Sequence, residues 1–370
     1  MIDQRCFTKE WINGFRKNKI YSKINPPILE KMINALSLLE HLVINNLVFV
    51  FKGGTSLILL LENTNRFSVD IDILTTQNRN LIEQIFDKII ETSHFLKWKL
   101  DERRSYKSGI PKAHYEFEFK SVFSERRNTI LLDILFEKPK YPKIQLLPIK
   151  AEWIGNKSVG STKNITDIFV NVPTIESIMG DKLTAFAPTT TGILFNSGKE
   201  LEIIKQLYDI DKLFDKIENL KTVSESFQIF ARQEIEYRNL DITPNDVLDD
   251  IFTTSRLISM REKNGNAFQK KYFNEIQIGL RSFSNFLISG SFRIENAINA
   301  AAKAAYLSTK LKLNDLSPIE KFSNQKVAEL NINTSKWSYL NKLKKLPDKS
   351  GFFYWYKTIK LLDMYGFGGK

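Results

Sequence analysis

Lys52-Gly53-Gly54-Thr55-Ser56 closes one apolar run, Leu47-Val48-Phe49-Val50-Phe51, and opens another that is rich in leucine. That order predicts a short strand, a paired-glycine turn and a helix over Thr55–Glu62. Backbone N–H groups gather at such a strand-to-helix turn, and the missing side chains let a phosphate approach closely. Arg66-Phe67-Ser68-Val69-Asp70-Ile71-Asp72-Ile73 comes next and alternates strictly. A strand over Ser68–Leu74 puts Val69, Ile71 and Ile73 on one face, with Ser68, Asp70 and Asp72 on the other. Two carboxylates on one strand face repel each other and are costly to desolvate. A divalent cation relieves that cost, and oxygen ligands favour Mg²⁺ or Mn²⁺ completed by water and substrate phosphates. Phosphate cradle and carboxylate pair together read as metal-dependent chemistry on a nucleotide.

Three more positions stand out. Thr129-Ile130-Leu131-Leu132-Asp133-Ile134-Leu135-Phe136 is a strand that is apolar on both faces except at Asp133. A carboxylate there needs a partner, either Arg126 or Arg127 nearby or a metal ion. On the helix that opens at Thr174, Lys182 lies four residues after Ile178 and seven after Ile175, on the inward face. It either snorkels to the rim or presents its ammonium to a triphosphate, and removing it is expected to relieve a desolvation cost. Asp209 falls on a helix over Lys199–Phe214, where helical geometry makes it solvent-facing with Lys205 at i−4 as a partner.

These motifs resemble the nucleotidyltransferase superfamily of DNA polymerase beta, in which a Gly-Gly or Gly-Ser turn precedes an Asp-x-Asp metal-binding strand. More narrowly, Lys52-Gly53-Gly54-Thr55, Arg66-x-Ser68-x-Asp70-x-Asp72 and Asp181-Lys182-Leu183-x-Ala185 resemble the AbiEii/AbiGii toxin family. Those are nucleotidyltransferase partners of bacterial toxin–antitoxin and phage-defence pairs. Many relatives carry Arg-Asp where this chain has Lys205-Gln206, while Asp209 matches an acidic family position. The resemblance implies an α/β (α+β) fold: a polymerase-beta-type domain with a small mixed sheet over residues 1–220, then a helical domain over 221–370. It implies transfer of a nucleoside monophosphate from a nucleoside triphosphate to an RNA acceptor, with the tRNA 3′ end suggested by relatives, and release of pyrophosphate. Asp70, Asp72 and Asp133 would hold the metal. Gly53, Gly54, Thr55, Ser56 and Ser68 would cradle the nucleotide, and Lys182 and Asp209 would complete the catalytic set. A winged-helix antitoxin is the expected partner. A transferase acting on protein or a small molecule, or a non-catalytic nucleotide- or RNA-binding protein, are the alternatives.

The net charge of +12 favours a polyanionic partner. A lone cysteine, Cys6, excludes an internal disulfide and a cysteine-based zinc site, and three histidines argue against a histidine-rich one. The start of the chain has no apolar signal core, and Asn45 and Asn46 break the run before Leu47. A cytoplasmic protein without a membrane segment is expected. Residues 335–370 interleave lysines such as Lys342, Lys344 and Lys345 with Trp337, Phe352, Phe353, Tyr354 and Trp355. That mixture suits either single-stranded nucleic acid or an aromatic helix packed in a core with a solvated lysine face.

Overall fold

A computed structural model of the chain describes residues 1–17, 21, 24–61, 66–105, 111–151, 153–154, 167–261, 265–323 and 325–366. Two compact units emerge: Met1–Thr174 with Asn285–Gly290, and Ile175–Ser284 with Ser291–Lys370.

The first unit is built on a mixed sheet of seven strands, larger than the small sheet expected. Its strands are β1 (Val50–Lys52), β2 (Ile71–Leu74), β3 (Lys97–Leu100), β4 (Lys112–Lys120), β5 (Arg127–Leu135), β6 (Ile144–Pro148) and β7 (Phe169–Pro173). Their order across the sheet is β3-β4-β5-β2-β1-β7-β6. β1 runs antiparallel to β2 and parallel to β7, while β2 runs parallel to β5. Helices α1 (Lys9–Gly14), α2 (Pro26–Ile44), α3 (Gly53–Leu60), α4 (Arg79–Thr92) and α5 (Glu102–Ser105) complete the unit.

Period-two alternation decides which face is core. Phe51, Ile71, Ile73, Tyr115, Phe117, Ile130, Leu132 and Ile134 are buried together with Met32, Leu36 and Leu39 of α2 and Ile82, Phe86 and Ile89 of α4. Phe86 packs edge-on against Tyr115 and Phe117, each with ring centroids 4.9 Å apart. Pro26 and Pro27 start α2, where their fixed φ suits the first turn and no intrahelical N–H is lost. The residues between these core positions point to the opposite face, and they carry the site.

The second unit is helical. It comprises α6 (Ile175–Ala185), α7 (Glu200–Phe214), α8 (Leu220–Tyr237), α9 (Pro244–Met260), α10 (Ala267–Phe283), α11 (Ile294–Lys312) and α12 (Ser350–Met364). Helix α11 is alanine-rich and packs against α7, α9 and α12, with Ala300, Ala301, Ala304 and Ala305 fully buried. Small side chains let three neighbours approach one helix closely. Because α6 packs on α7 and α8, both helices before residue 220 belong to this unit. The division therefore falls at Thr174, earlier than the 220/221 boundary drawn from the sequence.

The aromatic C-terminus is core. Phe352, Phe353, Tyr354 and Trp355 are buried, and the Trp355 indole donates to Ser259 Oγ at 2.8 Å. Lys344 lies over the Phe352 ring at 5.0 Å, and Lys342 and Lys345 are exposed. Of the two readings of this segment, the packed helix with a solvated lysine face is the one found. Lys370 and Glu62, the ends expected for the C-terminal segment and the first helix, lie outside the described residues. Among the described residues no helix is long and apolar enough to cross a membrane.

Candidate active site

The glycine pair works through geometry. Gly53 opens α3 with φ +76°, a left-handed conformation that residues with a Cβ rarely adopt. A Cβ there would also collide with the Asp72 carboxylate, so the turn and the carboxylate share one space. At Gly54 a Cβ would come within 2.6 Å of Arg66 Nη2 and 2.9 Å of Ser68 Oγ. Arg66 is itself buried and donates from Nη1 to the Phe67 carbonyl at 3.0 Å. Arg66 and Ser68 thus back the turn, which gives the Arg-x-Ser part of the motif a physical role that the sequence alone did not show.

Thr55 and Ser56 are turned inward. The Thr55 hydroxyl donates to the Asp70 carbonyl at 2.5 Å, and the Ser56 hydroxyl donates to the Gly53 carbonyl at 2.9 Å. Both residues are buried, so in this arrangement their hydroxyls tie α3 to the Asp70 segment and to its own first turn. The first N–H groups of a helix have no intrahelical acceptor, and those of α3 are the donors that this turn offers to an anion.

Register assembles the rest. Strand β2 begins at Ile71, so Ser68–Asp70 is its lead-in and stands outside the ladder predicted for Ser68–Leu74. Asp72 is the Cα partner of Lys52 on β1 and of Asp133 on β5, and Asp133 is the partner of His114 on β4. Residues in register on neighbouring strands point the same way. Lys52, Asp72, Asp133 and His114 therefore form one row across four strands, on the face opposite the aromatic core. Neither arginine suggested for Asp133 is its visible partner. His114 Nδ1 lies 2.6 Å from Asp133 Oδ1, while Arg127 pairs with Glu118 at 2.7 Å.

The donor chemistry fits a hard divalent cation: carboxylate oxygens on adjacent strands, beside a glycine whose missing side chain leaves their room. Among the described residues no three acidic, histidine or cysteine side chains stand together as a ready-made cage. Carboxylates without a cation between them repel, and a Mg²⁺ site of this kind is completed by water and phosphate rather than by protein alone.

The second unit holds Lys182 and Asp209 as a pair. Their Nζ and Oδ2 atoms are 2.8 Å apart, with side chains 8% and 1% exposed, and Lys182 also donates to Gln206 Oε1 at 3.1 Å. Asp209 is therefore not solvent-facing, and Lys205 pairs with Glu202 at 2.8 Å. Helix α7 is packed by α6, α10 and α11, so a one-sided helical wheel misplaces its residues. The expectation that Lys182 is a lone inward ammonium is corrected too, since it is the cation of a buried ion pair. Asp211 pairs with Lys303 at 2.8 Å, and the nearby cations Lys303 and Lys212 hold its carboxyl below the usual range against the opposing effect of burial.

A glycine-paired turn on a mixed sheet, with carboxylates in register beside it, is the arrangement that the resemblance to nucleotidyltransferases implies. A family model described as the nucleotidyl transferase AbiEii toxin of type IV toxin–antitoxin systems matches residues 37–287, and the chain belongs to that family. The match spans the carboxylate row as well as Lys182 and Asp209. Membership implies a nucleoside triphosphate substrate and an antitoxin partner. Two crystal structures from Helicobacter pylori are similar. One is described as that of a nucleotidyltransferase, 15% identical, covering 77% of this chain and 93% of that one, with a TM-score of 0.41. The other, JHP933, is 15% identical and covers 79% of this chain and 94% of that one, with a TM-score of 0.42. No curated protein matches the chain.

Proposed function

We propose that the chain transfers a nucleoside monophosphate from a nucleoside triphosphate to a hydroxyl of an RNA, with the tRNA 3′ end as the acceptor. The supporting observation is the register of Asp72 with Asp133 beside the Gly53 turn. Asp70, Asp72 and Asp133 hold the cation, which when bound neutralises charge at the attacked α-phosphate. The N–H groups opening α3 at Gly53 and Gly54 orient the phosphates, with Ser68 behind them. The acceptor oxygen bonds to the α-phosphorus, the α–β bridging P–O bond breaks, and pyrophosphate leaves. Asp133 accepts the acceptor's proton. The family resemblance assigns Lys182, which Asp209 holds, to the charge on the leaving pyrophosphate.

RNA is favoured as acceptor by the net charge of +12, which raises the local concentration of a polyanion. Base stacking on Phe352, Phe353, Tyr354 and Trp355 plays no part in this reading, since those rings are core. Growth provides a test of the toxin assignment. Expression in a bacterium lacking the antitoxin is expected to slow growth, and the Asp70→Asn variant at equal level is not. Equal growth of the two strains across induction levels would contradict a toxic transfer reaction.

A further inference from the structure

We propose that His114 is the positioning residue of the carboxylate centre, fixing Asp133 through its Nδ1–H. The inference rests on the reading of Asp133 as part of the metal site and adds a residue that no motif picks out. Because a carboxylate can only accept, the 2.6 Å contact makes Nδ1 the nitrogen that carries the hydrogen. The other ring nitrogen, Nε2, is buried without a hydrogen-bond partner among the described residues. The ring therefore has one polar task, and that task is Asp133.

The backbone around His114 is clamped as well. Its N–H donates to Ser105 Oγ at 2.9 Å, and its carbonyl accepts from the Asp101 N–H at 2.8 Å. Ser105 Oγ donates in turn to the Asp101 carbonyl at 2.7 Å. The Asp101–Ser105 segment thus grips residue 114 on the side away from β5, while β5 grips it on the other. A histidine held on both sides and buried among strands has little freedom, and it passes that order to the Asp133 oxygen it touches. Carboxylates that serve a metal depend on such outer partners, whose loss typically costs about 10- to 100-fold in metal affinity or activity.

The experiment uses the full chain, with Mn²⁺ binding followed by electron paramagnetic resonance in the absence of nucleotide, and transfer kinetics alongside. His114→Leu keeps an apolar side chain of similar reach and removes the donor. His114→Asn keeps an N–H donor near the Nδ1 position. The leucine variant is expected to weaken Mn²⁺ binding and lower kcat by about 10- to 100-fold, with little change in KM for the triphosphate. The asparagine variant is expected to recover most of both. A folded leucine variant with wild-type Mn²⁺ affinity and kcat would overturn the proposal, as would an asparagine variant that is folded but as impaired as leucine. Should leucine fail to fold, the asparagine variant decides: near-wild-type behaviour supports the donor role, and impairment refutes it. A wild-type chain that neither binds Mn²⁺ nor transfers nucleotide overturns the metal reading and this inference with it. Transfer that is abolished by Asp72→Asn yet untouched by His114→Leu overturns the His114 role alone.

Discussion

Replacing Asp72 by asparagine is expected to lower nucleotide transfer by on the order of 10³-fold or more, with the fold intact. The amide has nearly the shape of the carboxylate, so it still fits the room left by Gly53. It lacks the negative charge with which, in the proposed reading, Asp72 and Asp133 would hold a divalent cation. Asp70→Asn should behave alike, because Asp70 stands on the lead-in of the same strand. The check is kcat at saturating Mg²⁺ together with a circular dichroism spectrum and melting curve. Near-wild-type turnover in either variant would remove these residues from the metal site.

The second large effect is on stability. Lys182→Ala should destabilise the chain by about 3–5 kcal/mol, because Asp209 would remain buried without its cation. A loss of that size lowers the melting temperature by on the order of 10 °C. Exchanging both partners, Lys182→Met with Asp209→Leu, should return most of the stability, since two apolar side chains leave no buried charge behind. The double variant also separates structure from chemistry. If Lys182 offsets phosphate charge, the refolded double variant stays at about 10²-fold reduced turnover or lower. Recovery of activity with recovery of the fold would make the pair purely structural.

How far this was legible in the sequence depends on the range of each signal. The Gly53-Gly54 turn and the Asp70-x-Asp72 alternation are local patterns, so strand, turn and helix were readable there to within a few residues. Asp133 was readable as an anomaly, one carboxylate in an apolar strand. Its partner was not, because His114 sits nineteen positions earlier and meets it only through the β4–β5 register. The signal that could have found it is parity: His114 shares a strand face with Glu116 and Glu118, opposite Tyr115 and Phe117. Lys182 and Asp209 were each picked out by resemblance, but their pairing arises from the packing of α6 on α7, which no periodicity encodes. For the C-terminal segment the pattern was ambiguous by nature, since lysines alternating with aromatics describe both a packed amphipathic helix and a stacking surface. The burial of Trp355 by α9, through Ser259 and the Phe252 ring, made it the former.

The most direct measurement is the fate of an α-phosphate label. The wild-type chain is incubated with total RNA, Mg²⁺ and each α-labelled nucleoside triphosphate in turn, and RNA, protein and released pyrophosphate are separated. Label joined to RNA with at least one nucleotide, matched by released pyrophosphate and absent with Asp72→Asn, is the predicted result. Label that stays in the nucleotide pool, appears in protein instead of RNA, or joins RNA equally well with Asp72→Asn would contradict it.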